Sequence, residues 1–246
     1  MKRSLFALFA ASISCSEVQA PTDGNGGAVT AFVGVNVGPM DSERVVEGQT
    51  VRVEHGHISA FGPVDDVEIP DGATQIDGAG KYLMPGLAEM HGHLPSPDMP
   101  EAVTENVLFL YVANGVTTVR GMQGNPSQIP LRERIDRGEL LGPRLVLGSP
   151  SMSGGNVATV EDAKRLVREY KDQGFDLLKV HETLSAEVYD AIAATAGEIG
   201  IPFGGHVTDT VGLFHALEAG QTTIDHLDNY VEALVPEGQA PREAPG

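Results

Sequence analysis

The sequence predicts an α/β protein in which a small β-rich part precedes a run of alternating strands and helices. Residues 28 to 80 are rich in β-forming side chains and are interrupted by turn signals such as Gly62-Pro63 and Pro70-Asp71-Gly72. From Tyr82 onward, short apolar segments alternate with segments of helical periodicity. Repeated βα units of this kind imply a parallel sheet, which is either open or closed into a barrel.

The individual elements follow from local patterns. Three segments of the β-rich part are predicted strands: Val29 to Val37, Thr50 to Val53 and His57 to Phe61. Six segments of the second part are predicted strands: Tyr82–Ala88, Val116–Val119, Arg144–Leu147, Leu177–Val180, Pro202–Gly205 and Thr223–Ile224. The clearest helix covers Val160 to Gln173, where Thr159 and Asp162 form a variant of the capping box. A second helix, about Ala186 to Glu198, follows Ser185 as its N-cap.

Composition restricts the classes of partner. The hydrophobic content of 41% and the charged content of 20% are ordinary for a soluble globular protein. The formal net charge of -18 argues against nucleic acid and against anionic membrane surfaces as partners. We interpret the acidity as a strongly solvated surface.

The N-terminus has the pattern of an export signal. Lys2-Arg3 forms a basic start, Leu5 to Ile13 forms a short apolar core, and Val18-Gln19-Ala20 is a small-residue cleavage site. We therefore predict a signal peptide over residues 1–20 and a linker over 21–30. The expected location is outside the cytoplasm of a bacterium: periplasmic, secreted or lipid-anchored.

Cys15, the only cysteine, lies just after the apolar core. It is either a lipid-modified cysteine, which would provide a lipid anchor, or a residue that is removed with the signal. A single cysteine excludes an internal disulfide framework.

Two histidines, His91 and His93, follow an apolar run that begins at Met84-Pro85-Gly86. In a strand, residues i and i+2 point to the same face, so both imidazoles can reach one metal ion. Parallel α/β folds carry their chemistry at the C-terminal ends of the strands. Later strand ends carry further polar residues, each about one βα unit after the previous one: Lys179, His206 and His226.

These residue types suit a metal site. Neutral imidazoles bind zinc and similar divalent metals. Lys179 lies among Leu177, Leu178 and Val180, where loss of solvation favours a neutral amine. A neutral amine can take up carbon dioxide to form a carbamate, which is an anionic bridge between two metals. A hydroxide held by such a pair is a nucleophile at neutral pH. A buried Lys179 could instead pair with a carboxylate.

The other histidines carry weaker signals. His55-Gly56-His57 is predicted to be a hairpin turn with exposed histidines rather than a metal site. His215 lies in a helical context and is predicted to be a surface or packing residue. For His181, two residues beyond Lys179, a supporting role near the metal and an ordinary loop position remain open.

The chain resembles the amidohydrolase superfamily, in particular its imidazolonepropionase-like and Xaa-Pro dipeptidase (prolidase-like) branch. Besides the histidines and Lys179, the supporting segments are Ile76–Leu87, Ala113–Arg120 and Gly142–Leu145. The resemblance implies a TIM-like (β/α) barrel over residues 81–246, with about six of its eight strands present. Beside it, the resemblance implies a small N-terminal β-sandwich part over residues 31–80.

The resemblance also implies the ligands. His91 and His93 match the ligands of the first barrel strand, and Lys179 matches the carboxylated lysine that bridges two metals. His206 and His226 match the ligands of the fifth and sixth strands. The implied cofactors are divalent metal ions, two zinc ions or else manganese or cobalt, together with a carbamate derived from CO2 on Lys179.

One expected residue has no counterpart. The superfamily places an essential aspartate at the end of the eighth strand, whereas Asp225 and Asp228 belong to the end of the sixth. The catalytic residue is therefore not assigned, and we interpret the chain as a fragment of a longer protein, truncated at its C-terminus.

The predicted function is that of a metal-dependent hydrolase of amide or peptide C–N bonds in small substrates such as dipeptides or N-acyl amino acids. Its nucleophile would be a hydroxide that bridges the metals. Arg120 and Tyr230 are candidate substrate contacts, with a structural ion pair and a packing role as their respective alternatives. Two other functions remain open: a mononuclear deaminase of the same superfamily, and a non-catalytic truncated relative. The sequence does not predict the oligomeric state.

Overall fold

The computed structural model describes residues 29–235. The predicted signal peptide, most of the predicted linker and Cys15 lie outside the described residues. The chain divides into two compact units: the residues up to Leu87 together with Leu110–Thr117, and Ala88–Phe109 together with the residues from Thr118 onward. No helix in the described part of the chain is both long and apolar enough to cross a membrane.

The first unit contains one five-stranded sheet. Its strands are β1 (Thr30–Val37), β2 (Val46–Glu54), β3 (His57–Pro63), β4 (Thr74–Asp77) and β5 (Tyr82–Leu83). The order is β3-β2-β1-β4, and β5 pairs with β1 beyond the end of β4. The core beneath the sheet contains Phe32, Val35, Val51 and Val53.

Two predictions concern this unit: a hairpin turn at His55-Gly56-His57 and a β-sandwich over residues 31–80. The hairpin prediction is confirmed, because His55 and Gly56 have positive φ angles of 49° and 74° between the antiparallel strands β2 and β3. The sandwich stays a prediction: within residues 29–87 all five strands belong to one sheet. Both β4 and β5 pair in parallel with β1, so they extend this sheet.

The prediction of a single strand over Tyr82–Ala88 is wrong. Strand β5 ends at Leu83, and a separate strand β6 covers Leu87–Gly92. Pro85 lies between them; proline lacks the N–H that a continuous ladder needs. As a result, His91 lies within β6 and His93 directly follows it.

From β6 onward, strands and helices alternate as the sequence predicts. The elements in chain order are α1 (Glu101–Ala113), β7 (Val116–Gly121), α2 (Gln128–Asp136), β8 (Arg144–Leu147), α3 (Val160–Gln173), β9 (Leu178–Val180), α4 (Ala186–Ile199), β10 (Phe203–Gly205), α5 (Gly212–Glu218) and α6 (Tyr230–Leu234).

From β6 onward, the strands within each sheet pair in the order in which they occur in the chain. Strands β6, β7 and β8 form one sheet, and β9 and β10 form a second, parallel pair. Single parallel bridges continue the series, Gly148 to Leu177 and Gly205 to Ile224. The predicted strand Thr223–Ile224 is therefore reduced to one bridge. The alternation of strands and helices confirms the mixed α/β class. Neither sheet closes on itself within residues 29–235, so the barrel stays a prediction.

Helices α3 and α4 confirm the predicted caps. Thr159 Oγ1 accepts a hydrogen bond of 3.1 Å from the Asp162 N–H, and Ser185 Oγ accepts one of 3.3 Å from the Val188 N–H. Helix α3 buries Ala163, Val167 and Tyr170, whose spacing of four and three residues places them on one face of the helix.

Candidate metal centre

Four of the predicted ligands form a continuous cluster of imidazole rings. The ring centroids of His93 and His91 are 5.2 Å apart, those of His91 and His226 are 4.7 Å apart, and those of His226 and His206 are 5.0 Å apart. His91 and His93 come from the end of β6, His206 follows β10, and His226 follows the Ile224 bridge. The alternation of strands and loops therefore brings residues up to 135 positions apart in the chain into one site.

The fifth predicted ligand, Lys179, joins this cluster through a carboxylate. Its side chain is 3% exposed and Nζ forms an ion pair with Oδ2 of Asp225, whose side chain is 2% exposed. The same Oδ2 atom lies 3.5 Å from Nδ1 of His91. The carboxylate pairing that the sequence left open is thus the arrangement in the structure, and Asp225 belongs to the site.

Burial and neighbouring charges set the ionisation of this group. Burial lowers the pKa of His91, and the charges of Lys179, His226 and His93 lower it further, against the opposing effect of Asp225. Burial alone would raise the pKa of Asp225, yet the hydrogen bond and charge of Lys179 hold it below its ordinary value. The site therefore combines a neutral imidazole with an ionised carboxylate, which is a suitable pair of donors for a cation.

A second carboxylate, Asp228, orients His206. Nδ1 of His206 lies 2.7 Å from Oδ2 of Asp228, which also accepts a weaker hydrogen bond of 3.4 Å from the Val207 N–H. A histidine that donates one ring N–H to a carboxylate presents its other nitrogen to a metal in a fixed direction. Here that free nitrogen is Nε2.

His181 extends the cluster on the side of His206. Its ring centroid is 4.2 Å from that of His206, and its Nδ1 accepts a hydrogen bond of 2.9 Å from the Glu182 N–H. Burial, followed by the charges of His206 and Lys179, lowers its pKa. Of the two interpretations that the sequence left open, the structure favours a supporting position beside the site.

The segment that carries Asp225, His226 and Asp228 has an unusual backbone. His226, Leu227 and Asn229 have positive φ angles of 55°, 61° and 61°. Left-handed backbone conformations are uncommon for residues other than glycine, asparagine and aspartate, and they are strained for leucine. The Asn229 side chain anchors this turn by donating a hydrogen bond of 2.9 Å to the Val207 carbonyl.

Comparison with known proteins identifies the family. The model of the amidohydrolase family matches residues 82–242, which include the four histidines of the cluster, Lys179 and Asp225. The chain belongs to the amidohydrolase family.

Individual relatives agree with this assignment. Adenine deaminase 3 of Rhizobium meliloti is 25% identical over 213 residues, which are 79% of this chain and 35% of that protein. A dihydroorotase of Mycobacterium tuberculosis is 45% identical over 47 residues, 19% of this chain and 10% of that protein.

Solved structures show the same fold. A candidate prolidase from Bifidobacterium longum has a TM-score of 0.71 and 26% identity, and the match covers 81% of this chain and 54% of that one. A Xaa-Pro dipeptidase with methionine bound in its active site has a TM-score of 0.66 and 18% identity, covering 80% of this chain and 61% of that one. The resemblance to prolidase-like amidohydrolases is confirmed. The chain spans about a third of the adenine deaminase and about half of the candidate prolidase, at 35% and 54%.

Within this amidohydrolase chain, the two candidate substrate contacts lie in different settings. The Arg120 guanidinium donates a hydrogen bond of 2.7 Å from Nε to the Met90 carbonyl and one of 3.3 Å from Nη1 to Thr223 Oγ1. Tyr230 is the exposed first residue of α6. Contact of either residue with substrate stays a prediction. Both bonds of Arg120 go to uncharged acceptors, so they hold the side chain in place without forming the ion pair given as its alternative.

The donor set of this amidohydrolase fits a divalent metal. Ligand atoms of His91, Asp225 and His226 all lie within 4.8 Å of one another. Two imidazole nitrogens and a carboxylate oxygen are donors that catalytic zinc sites use. A cavity of about 390 Å³ adjoins the site, and Glu182, Thr208 and Asp228 are among its lining residues.

Proposed function

We propose that the protein to which this chain belongs is a metal-dependent hydrolase of amide or peptide C–N bonds in small substrates such as dipeptides. The observation that carries the proposal is the convergence of four histidine rings and the buried Lys179–Asp225 pair on one group of strand ends. Members of the amidohydrolase family are hydrolases that act on C–N bonds, and the prolidase-like structural neighbours favour dipeptide-sized substrates. The cavity beside the site has room for a substrate of that size.

The proposed ligands are His91, His93, His206 and His226, with Asp225 as an additional carboxylate donor. Zinc is the favoured metal, because imidazole and carboxylate donors suit it, and manganese or cobalt are the alternatives. Bound divalent ions would supply Lewis-acid polarisation of the carbonyl and a water molecule of lowered pKa. Burial lowers the pKa of His91, which favours the neutral imidazole at neutral pH. In that form one of the two ring nitrogens carries no proton and is available to bind a metal.

Lys179 has two proposed states. In the structure its ammonium is neutralised by Asp225. In the second state, the neutral amine adds CO2 and releases one proton, and the resulting carbamate offers two oxygens to a pair of metals. Formation of the carbamate would require Lys179 to leave Asp225, which would then be free to bind a metal or accept a proton. We also propose that the alternating strands and helices form part of a TIM-type barrel.

The test is the replacement of Lys179 in the full protein. If Lys179 bridges two metals, Lys179→Ala should reduce the metal content from two ions to at most one and remove hydrolysis of a panel of dipeptides and N-acyl amino acids. Metal content is measured by inductively coupled plasma mass spectrometry, and hydrolysis by release of free amino acids. The matched control is Lys164→Ala, which removes an exposed lysine of α3. Two metals and full activity in Lys179→Ala would refute the bridging role.

The second candidate function is a one-metal deaminase. It is favoured by the pairing of Lys179 with Asp225, which leaves His91, Asp225 and His226 as one three-donor group, and by the similarity to adenine deaminase. It predicts a single metal per chain and release of ammonia from adenine, without hydrolysis of any dipeptide. Two metals per chain together with dipeptide hydrolysis would exclude it.

A further inference from the structure

Gln221 is a buried side chain whose hydrogen bonds are all made within the protein. It is 5% exposed and lies between α5 and the Ile224 bridge. Its Oε1 atom accepts a hydrogen bond of 2.7 Å from the hydroxyl of Tyr189, a fully buried residue of α4. Its Nε2 atom donates hydrogen bonds of 3.0 Å to the carbonyls of Gly205 and Thr223. A side-chain amide has two N–H donors and one carbonyl, and each has a partner here.

These two carbonyls belong to the segments that carry the proposed ligands. Gly205 directly precedes His206, and Thr223 lies two residues before Asp225. The backbone joins the segments through three bonds: the Thr222 N–H donates to the Phe203 carbonyl at 2.9 Å, the Gly205 N–H to the Thr223 carbonyl at 3.1 Å, and the Asp225 N–H to the Gly205 carbonyl at 2.8 Å. Strand β10 and Ile224 share one bridge rather than a ladder, so the side-chain bonds of Gln221 and of Thr222, whose hydroxyl donates to the Phe203 carbonyl, add to this short backbone connection.

The glycines of β10 make this close approach feasible. A Cβ atom on Gly204 would clash with the side chain of Thr223. Gly205 has a φ of +137°, and a Cβ atom there would clash with the Val180 carbonyl. The absence of side chains at both positions lets β10 lie close enough to its neighbours for Gln221 to bond both segments.

We propose that Gln221, held in place by Tyr189, is a positioning residue that sets the separation of His206 and His226 in the proposed metal centre. This inference rests on the proposed function. Loss of the amide would leave the carbonyls of Gly205 and Thr223 with their backbone donors alone, and the weaker connection would let the two segments shift or admit water. Because the ring centroids of His206 and His226 are 5.0 Å apart, a small shift changes the geometry offered to a metal.

The test compares two buried glutamines in the full protein. Gln221→Met keeps the length of the side chain and removes its hydrogen bonds, and we expect the Kd for zinc to rise about 10- to 100-fold. Gln128→Met is the matched control, since Gln128 is also 5% exposed but bonds the Gln123 carbonyl. The zinc Kd is measured by competition with a chelator and the Tm by calorimetry. We expect both variants to lower the Tm and only Gln221→Met to change the Kd. An unchanged zinc Kd in Gln221→Met would overturn the proposal.

A milder variant covers the case in which Gln221→Met does not fold. Tyr189→Phe removes only the hydroxyl that holds Oε1 of Gln221, and we expect a rise of a few-fold in the zinc Kd. Tyr170→Phe, in which another buried tyrosine of the same unit loses its hydroxyl, should leave the Kd unchanged. In the double variant Tyr189→Phe/Gln221→Met, the tyrosine change should add nothing further. Additive effects would contradict action through Gln221.

Hydrogen exchange separates this inference from the proposed function. If the wild-type protein binds no zinc, the proposed metal centre fails, but the backbone amides of Gly205 and Asp225 still report on Gln221. We expect both amides to exchange faster in Gln221→Met than in the wild type, with no change in Gln128→Met. Equal exchange rates in wild type and Gln221→Met would overturn the positioning role.

Discussion

Two carboxylates after Ile224 contact different members of the histidine cluster. Asp225 neutralises Lys179 and approaches His91, and Asp228 binds His206. The four histidines and Lys179 could be selected from sequence, because each lies in or just after an apolar strand segment, where histidine and lysine are uncommon. The carboxylates could not, because they are two among 34 acidic residues and their contacts depend on a left-handed turn that no local sequence pattern indicates.

The role of Asp228 can be tested by Asp228→Asn. An uncharged amide holds the His206 ring less firmly and no longer favours the tautomer with its proton on Nδ1, so we expect the Kd for zinc to rise about tenfold or more. The measurement is chelator competition at constant ionic strength. The control is Asp209→Asn, which removes a charge from an exposed residue lining the same cavity. Equal effects of the two substitutions would mean that the overall charge of the cavity, rather than the bond to His206, determines zinc affinity.

At the scale of single elements, a helix is predicted accurately when the residues that start and end it lie next to it in the sequence. Helices α3 and α4 have a side-chain N-cap at the start and a left-handed glycine at the end, Gly174 and Gly200, and both were predicted to within one residue. Helices α1 and α2 were not predicted. Helix α1 has no charged stripe opposite an apolar one, and α2 contains Pro130 in its first turn, where proline is tolerated but suggests a loop.

The stability of α3 should depend on its cap. Thr159→Ala removes the hydrogen bond to the Asp162 N–H, so we expect the free energy of unfolding to fall by about 1 kcal/mol. Urea denaturation followed by circular dichroism provides the measurement. Ser127→Ala is the matched control, because Ser127 occupies the N-cap position of α2 without a side-chain hydrogen bond to the helix. A loss of similar size in Ser127→Ala would show that the Thr159 bond is not the cause.

At the scale of the whole molecule, alternation of strands and helices predicted the α/β class, since the period of the apolar pattern changes at every element. The pairing of the strands depends on contacts between segments about one βα unit apart, and the sequence constrains these only through general rules of topology. That is why the succession of parallel segments was predicted, whereas the break at Pro85 and the reduction of Thr223–Ile224 to one bridge were not.

The net charge of -18 should make stability sensitive to salt. Like charges repel more strongly in the compact state than in the unfolded chain, and added salt screens this repulsion. We expect the Tm to rise by several degrees as sodium chloride is increased from about 10 mM to about 300 mM, over which the Debye length falls from about 30 Å to less than 10 Å. Sucrose of equal osmolality serves as the uncharged control. A Tm that falls with salt, or that rises equally in sucrose, would contradict this expectation.

The chain-order pairing of the strands from β6 to Ile224 also determines when the site forms during synthesis. Each of these segments pairs with the one made just before it, so docking can follow translation from the N-terminal side. His91 and Lys179 leave the ribosome well before Asp225, the carboxylate that neutralises Lys179. A buried ammonium without its partner is costly. The nascent chain is therefore expected to keep Lys179 hydrated until the Ile224 segment arrives, and docking of that segment is the step that neutralises the buried ammonium.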